Sequence, residues 1–132
     1  MNGFVQFDVA GRSFAIPLDV IREVVRGSGV VPVPGVRPPF TGTLNVRGTP
    51  LPIADLRTPG TVGDVLVVND RDGDRFGVAV DMVRAVHPAS ELLPLDDPSL
   101  FGLPHYIHDV RSVDGAAVYL VDVTEMVQTV PV

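Results

Sequence analysis

"GRSFAIPLDVIREV", residues 11–24, decides how this chain folds, because the sequence writes it twice. Further along, "GDRFGVAVDMVRAV", residues 73–86, aligns on it without a gap. Gly11/Gly73, Phe14/Phe76, Asp19/Asp81, Arg22/Arg84 and Val24/Val86 are identical, while Ile16/Val78, Leu18/Val80 and Ile21/Val83 exchange one aliphatic for another. A later pairing sets "RGTPLPIADL" from Arg47 over "DGAAVYLVDV" from Asp114, matching Gly48 with Gly115 and Asp55 with Asp122. Both halves thus run in the same order, which reads as an internal duplication.

Working outward, most segments carry strand patterning. In "FVQFDVAG" Val5, Phe7 and Val9 alternate with Gln6 and Asp8, the period-2 pattern of a half-buried strand. Gly11 turns the chain into "RSFAIPL", with Phe14, Ile16 and Leu18 inward. "DVIREVVR" changes period: Val20, Ile21, Val24 and Val25 fall on one helical face with Asp19 as N-cap, which predicts a short helix. The proline-dense "VVPVPGVRPP" predicts an extended connector or edge strand. "TPGTVG", residues 58–63, predicts a linker between halves of about 1–58 and 63–127 within a single domain. Repeats this small are marginal alone. Four or five short strands per half point to two small β-barrels about a pseudo-two-fold axis, sharing a core and leaving a groove between them.

Composition narrows the function. The chain has 132 residues, net charge −6 and no cysteine, so disulfide and thiol chemistry is excluded and the phosphate backbone of nucleic acid is an unfavoured partner. No apolar run approaches the roughly 20 residues of a membrane span. The N-terminal stretch lacks a basic region followed by an apolar one, so no signal peptide is expected, and a cytoplasmic location follows as the expectation.

A search for chemistry finds little. There is no phosphate-binding glycine loop and no nucleophile elbow. His105 and His108 in "HYIHD" would share a face only on a helix, and the strand-like surroundings put them on opposite sides. "DRDGD", residues 70–74, has the first carboxylates of a calcium loop, but Arg75 stands where that loop needs glycine and Asp81 where it needs a bidentate Glu. Gly73 instead predicts a hairpin turn. "DDPS", residues 96–99, reads as another turn. No cofactor, metal site or catalytic group is expected, and the residues describe a non-enzymatic domain.

"GTLNVRGTPLPIADLR", residues 42–57, then becomes specific. It resembles the signature of CheW-like chemotaxis coupling proteins: Gly, two variable residues, Asn-Leu-Arg-Gly, then an apolar strand ending Asp-Leu-Arg. Gly42, Asn45, Arg47, Gly48, Pro52, Asp55, Leu56 and Arg57 match, and Val46 replaces the usual Leu. "RFGVAVDMVRAV" and "LPHYIHDVRSVDGAAVYLVDVTEMV" resemble the family's middle and closing segments. The resemblance implies two intimately packed five-stranded SH3-like barrels. It also implies a non-catalytic adaptor joining the histidine kinase CheA to the cytoplasmic tips of chemoreceptors, through strand edges and an apolar inter-barrel groove.

Carried over residue by residue, Arg47 is the signature arginine and Glu23 the acidic residue that commonly faces it. Asn45 precedes Arg47 in the motif. Ile21, Gly42, Val65 and Val86 match positions lining or flanking the receptor-binding face. From the residues, Leu44 and Val46 should point to the core and Asn45 and Arg47 to the other face, with Pro50 and Pro52 marking a strand edge. The single residue between Phe40 and Gly42, the short linker and the proline-dense 32–39 segment depart from the family pattern. Two alternatives stand beside the adaptor: a scaffold for another histidine-kinase pathway, and a small-molecule or metal-binding module that uses the groove.

Overall fold

The computed structural model describes residues 2–95 and 102–128; the turn expected at 96–99 lies outside them. In chain order the strands are β1 (Gly3–Val9), β2 (Arg12–Pro17), β3 (Ile21–Arg26), β4 (Val31–Pro32), β5 (Gly42–Val46) and β6 (Thr49–Asp55). The second half gives β7 (Asp64–Asn69), β8 (Arg75–Val80), β9 (Met82–Pro88), β10 (Leu93–Pro94), β11 (Ile107–Val113) and β12 (Ala116–Val121), then helix α1 (Val123–Val127). As expected the protein is mainly β, in two packed sheets. Each has six strands rather than five, the sixth being the two-residue edge strand β4 or β10.

The strand orders are β10-β11-β12-β2-β1-β9 and β4-β5-β6-β8-β7-β3. Adding six to each label of the second order, with β7 and β8 wrapping to β1 and β2, reproduces the first. The duplication is therefore visible as topology, with one feature that composition did not suggest. The first hairpin of each half, β1–β2 or β7–β8, inserts into the sheet built by the other half. It does so through the parallel pairs β2–β12 and β6–β8. The chain crosses between sheets at the turn after β2 and at Asp81 after β8, the two places where the repeat carries the matched aspartates Asp19 and Asp81.

This exchange explains the burial. A hairpin in the middle of a sheet has both faces covered, so β7 reads as "VLVV" and β8 as "FGVAV" instead of alternating polar residues outward. Their period divides the side chains between two cores. Leu66, Val68, Phe76, Val78 and Val80 join Phe7 and Ile16 from the other sheet in one shared core. Val65 and Ala79 face the opposite way, with Leu44 and Ile53, into a core private to their own sheet. Phe4, Ala15, Val118 and Leu120 form its counterpart. Between the sheets, then, lies the shared core that the duplication led one to expect.

The helix expected at "DVIREVV" does not form. Leu18–Val20 make one 3-10 turn, without a side-chain cap from Asp19, and β3 follows directly. The spacing of Val20, Ile21, Val24 and Val25 imitates a helical face. In the strand, however, Ile21, Glu23 and Val25 alternate inward while Val24 lies exposed. β-branched residues lose rotamer freedom in a helix and suit a pleated edge. A bulge between Ile21 and Glu23 shifts the register against β7, yet burial still alternates along β3.

Candidate functional site: the β3 face and the β5–β6 hairpin

The signature arginine is not on a strand. β5 ends at Val46, and Arg47 and Gly48 are the two residues of a tight turn, both left-handed at φ 51° and 84°. Asp114 and Gly115, their partners in the repeat, turn β11 into β12 with φ 52° and 80°. Such paired positive φ values define the mirror-image turn that suits a twisted hairpin, and Asn, Asp or Gly is its usual first residue. Asp114 fits that preference. Arg47, with a bulky Cβ-bearing side chain, does not.

What holds Arg47 there is a two-pronged ion pair. Its two terminal nitrogens donate to the two carboxylate oxygens of Glu23, at 2.7 and 2.6 Å. That hydrogen bonding, then the Glu23 charge, raises the guanidinium pKa further. Arg47 is 78% exposed and Glu23 23%, so the cation sits outermost on the pair. Asn45 accepts the Gly48 amide at 2.8 Å on its side-chain oxygen, closing the turn from below. On either side of Arg47 lie shallow clefts. One of about 330 Å³ is floored by Val25, Leu44 and Val46 and flanked by Arg26. The other, about 130 Å³, runs past Glu23, Thr49 and Leu51.

The remaining candidates are dispersed. Ile21 is half-buried against the shared core. Gly42 is buried where β5 pairs with β4 and β6, and an added Cβ would stand 2.5 Å from the Val31 carbonyl oxygen, so the glycine is there for backbone approach. Val65 is 0% exposed in the private core and cannot meet a partner, because its orientation on β7 turns it inward beneath the site. Val86 is 60% exposed but belongs to β9, the edge of the other sheet. The structure thus brings Glu23, Asn45 and Arg47 together and places Val65 and Val86 elsewhere.

Pro50 and Pro52 share an exposed orientation on β6, as expected, opposite Asn45 and Thr43. β8 pairs with β6 only from Ile53 to Asp55. The two residues without an amide hydrogen therefore lie where the outer side of β6 has no neighbour strand, and an inviting edge is blunted.

Sequence reasoning did not reveal the aspartate clasps: those of Asp81 and Asp122 join the two sheets, and that of Asp55 with Arg57 ties together loops of one sheet. The Asp81 carboxylate accepts the Ala10 amide at 2.9 Å from the β1–β2 turn, and the Thr58 amide and hydroxyl, both at 2.7 Å. Burial pushes the Asp81 pKa up, but these three donors outweigh it and leave it lowered. Arg57 donates to both Asp55 oxygens at 2.9 and 2.8 Å and to the Gly27 and Val62 carbonyls at 3.0 and 2.8 Å. That pairing lowers the Asp55 pKa. Asp122 caps α1 through the Thr124 and Glu125 amides and takes Arg71 at 2.9 Å, holding the β7–β8 turn to the helix. The signal was available, since Asp81, Asp55 and Asp122 are all aspartates of the repeat alignment. His105 sits in a turn, hydrogen-bonded to the Glu125 carbonyl, while His108 lies exposed on β11. Asp70 holds the 70–74 turn, taking the Asp72 and Asp74 amides at 2.9 Å each.

The described residues thus form two interleaved β-sheets with an exposed arginine locked at a hairpin tip. The sequence profile of the CheW-like domain matches residues 3–130, and the chain belongs to that family. Among solved structures the fold is similar to the scaffolding protein TtCheW from Thermoanaerobacter tengcongensis. The TM-score is 0.79 at 17% identity, over 97% of this chain and 88% of that one. No curated protein matches the sequence significantly. Among the described residues no helix is long and apolar enough to cross a membrane.

Proposed function

We propose that this chain is a non-catalytic coupling adaptor that joins the histidine kinase CheA to the cytoplasmic hairpin tips of chemoreceptors. It would work in the cytoplasm, at the inner face of the membrane through receptor arrays. The observation that carries the reading is Arg47 at φ 51° in a turn that Asn or Gly would occupy without strain. Strained backbone persists where the surroundings over-determine it and a function uses it. Here the Glu23 clasp fixes an exposed guanidinium at the hairpin tip, pre-organised for a partner helix. Glu23, Asn45 and Arg47 form the receptor face, Ile21 and Gly42 shape its edges, and Val65 supports it from beneath.

For the kinase, the topological repeat supports contacts of another kind. Val24 on β3 matches Val86 on β9, and the short edge strands β4 and β10 carry exposed Val31 and Leu93. Two equivalent but non-identical apolar edges suit head-to-tail docking with the CheW-like domain of CheA, which closes rings without a self-complementary patch. The test is a pull-down of the chain with the CheA regulatory domain and, separately, with a receptor cytoplasmic hairpin. Capture of both supports the adaptor, capture of neither removes it, and Arg47→Glu is expected to lose the receptor while keeping the kinase.

A further inference from the structure

Four strand pairings join the first half of the chain to the second: β1 with β9, β2 with β12, β3 with β7 and β6 with β8. The shared core draws on both halves too, Phe7 and Ile16 from one and Leu66 and Phe76 from the other. All of these contacts are made across the linker and none by it. The first half of one copy would therefore meet the same partners in the second half of another copy. Only the path of the linker and the concentration of chains decide between the two arrangements.

The linker is fastened at its ends and turned back in its middle. The Leu56 amide donates to the Ala79 carbonyl at 2.9 Å, Thr58 donates twice to Asp81, and the Gly27 amide donates to the Gly63 carbonyl at 3.1 Å. Each of these bonds runs between halves, so an exchange of halves would re-form it. Residues 59–62 are held differently. They turn on bonds of the linker's own, the Thr61 amide to the Thr58 carbonyl at 3.1 Å and Arg57 Nη1 to the Val62 carbonyl at 2.8 Å. The turn also sets Gly60 at φ 87°, where a side chain is strained although a Cβ would meet nothing within 4 Å. Pro59 meanwhile biases Thr58 toward extended backbone. Straightened, the stretch from Thr58 to Gly63 spans about 17 Å and carries the chain away from its own second half instead of back to it. A short hinge that must turn tightly invites such an exchange.

We infer that this chain takes a second copy of itself as a partner by exchanging whole halves, each first half folding onto the other copy's second half through a straightened 59–62 hinge. Every face of Glu23, Asn45 and Arg47 would then stand on β7 of the second copy, and one assembly would present two such faces. Because the contacts between halves are unchanged, the dimer forms at high chain concentration and, once made, separates only through unfolding. This goes beyond the adaptor reading and does not depend on it.

The test starts from the parent chain, unfolded in urea and refolded by dilution. Gel filtration with light scattering should show a dimer whose share grows as refolding moves from micromolar to millimolar protein. Arg26 and Asp64 are register partners on β3 and β7, one in each half, and the chain has no cysteine of its own. Arg26→Cys and Asp64→Cys proteins, unfolded together, refolded at millimolar concentration and oxidised, should give chains joined between these two positions, read by peptide mass spectrometry. The same two proteins mixed while folded should give no such link. Gly60→Val strains only the closed turn, so it should raise the dimerisation constant about a hundredfold, about tenfold for each of the two hinges. A parent chain that refolds only as monomer at millimolar concentration overturns the inference, as does a dimerisation constant that Gly60→Val leaves unmoved. A dimer without the cross-chain link overturns it in favour of edge-to-edge docking. Equal yield of the link from the folded mixture also overturns it.

Discussion

Val65 and Val86 were both candidates for a partner-binding face, and the structure separates them by burial. Val65 packs with Leu44, Ile53 and Ala79, and Gly77 on the adjacent strand leaves room for it. A Cβ added at Gly77 would stand 2.8 Å from the Val65 Cγ1 and 2.5 Å from the Ile53 Cδ1. Val65→Ala removes two methyl-sized groups, about 1.6 kcal/mol in transfer free energy. An unrelaxed cavity brings the loss to about 2–3 kcal/mol. At this chain length roughly 3–5 °C of melting temperature accompanies each kcal/mol, so a drop of about 10 °C is expected by circular dichroism, with a matching fall in the urea midpoint at unchanged slope. Gly77→Ala alone overpacks the same spot and costs about 1–3 kcal/mol. In the double variant the new methyl occupies the space that Val65 vacates, so the combined loss is smaller than the sum by at least about 1 kcal/mol. Val86→Ala, being exposed, should stay within about 0.5 kcal/mol of the parent. Additive losses in the double variant, or a Val65→Ala protein as stable as the parent, would refute the two-core assignment.

Other outcomes follow from the same geometry. Arg47→Asn relieves the left-handed turn and removes the guanidinium, so the hairpin should melt no earlier than in the parent while receptor capture in the pull-down is lost. Gly63→Ala, at φ 65° with a Cβ that would run into the Val80 carbonyl, should lose roughly 1–3 kcal/mol from backbone strain alone, measured by urea unfolding. Asp55, Asp81 and Asp122 have lowered folded-state pKa values. Their contribution is therefore complete above the unfolded value of about 4 and lost as pH falls through the folded values. The melting temperature should hold level from neutrality to about pH 5 and then decline, less steeply in Asp81→Asn. Fragments 1–58 and 63–127 are each missing a hairpin that the other supplies. Alone they should show no cooperative melt, and mixed they should recover one.

Much of the architecture was legible, and the reasons are local. Alternation in "FVQFDV", the glycine turns and the paired aspartates are consequences of strand and turn chemistry that acts over a few residues, so a duplicated pattern could be read directly. "DVIREVV" misled because its aliphatic spacing fits a helical face, while pairing with the neighbouring strand β7 makes it a strand whose Ile21, Glu23 and Val25 turn inward. Arg47 looked like a strand residue because turn propensity argues against arginine at φ 51°, and only the clasp by Glu23, 24 residues earlier, overrides that preference.

By itself, then, the sequence determined that this is a β-rich, twice-written chain with an arginine signature. Those properties live in spacing and residue type. Only the tertiary structure decided that the halves exchange hairpins, and that Val65 lies beneath the face while Val86 lies on another edge. Each of these depends on which strands become neighbours across the sheets, and that choice is made by long-range packing, which no window of the chain contains.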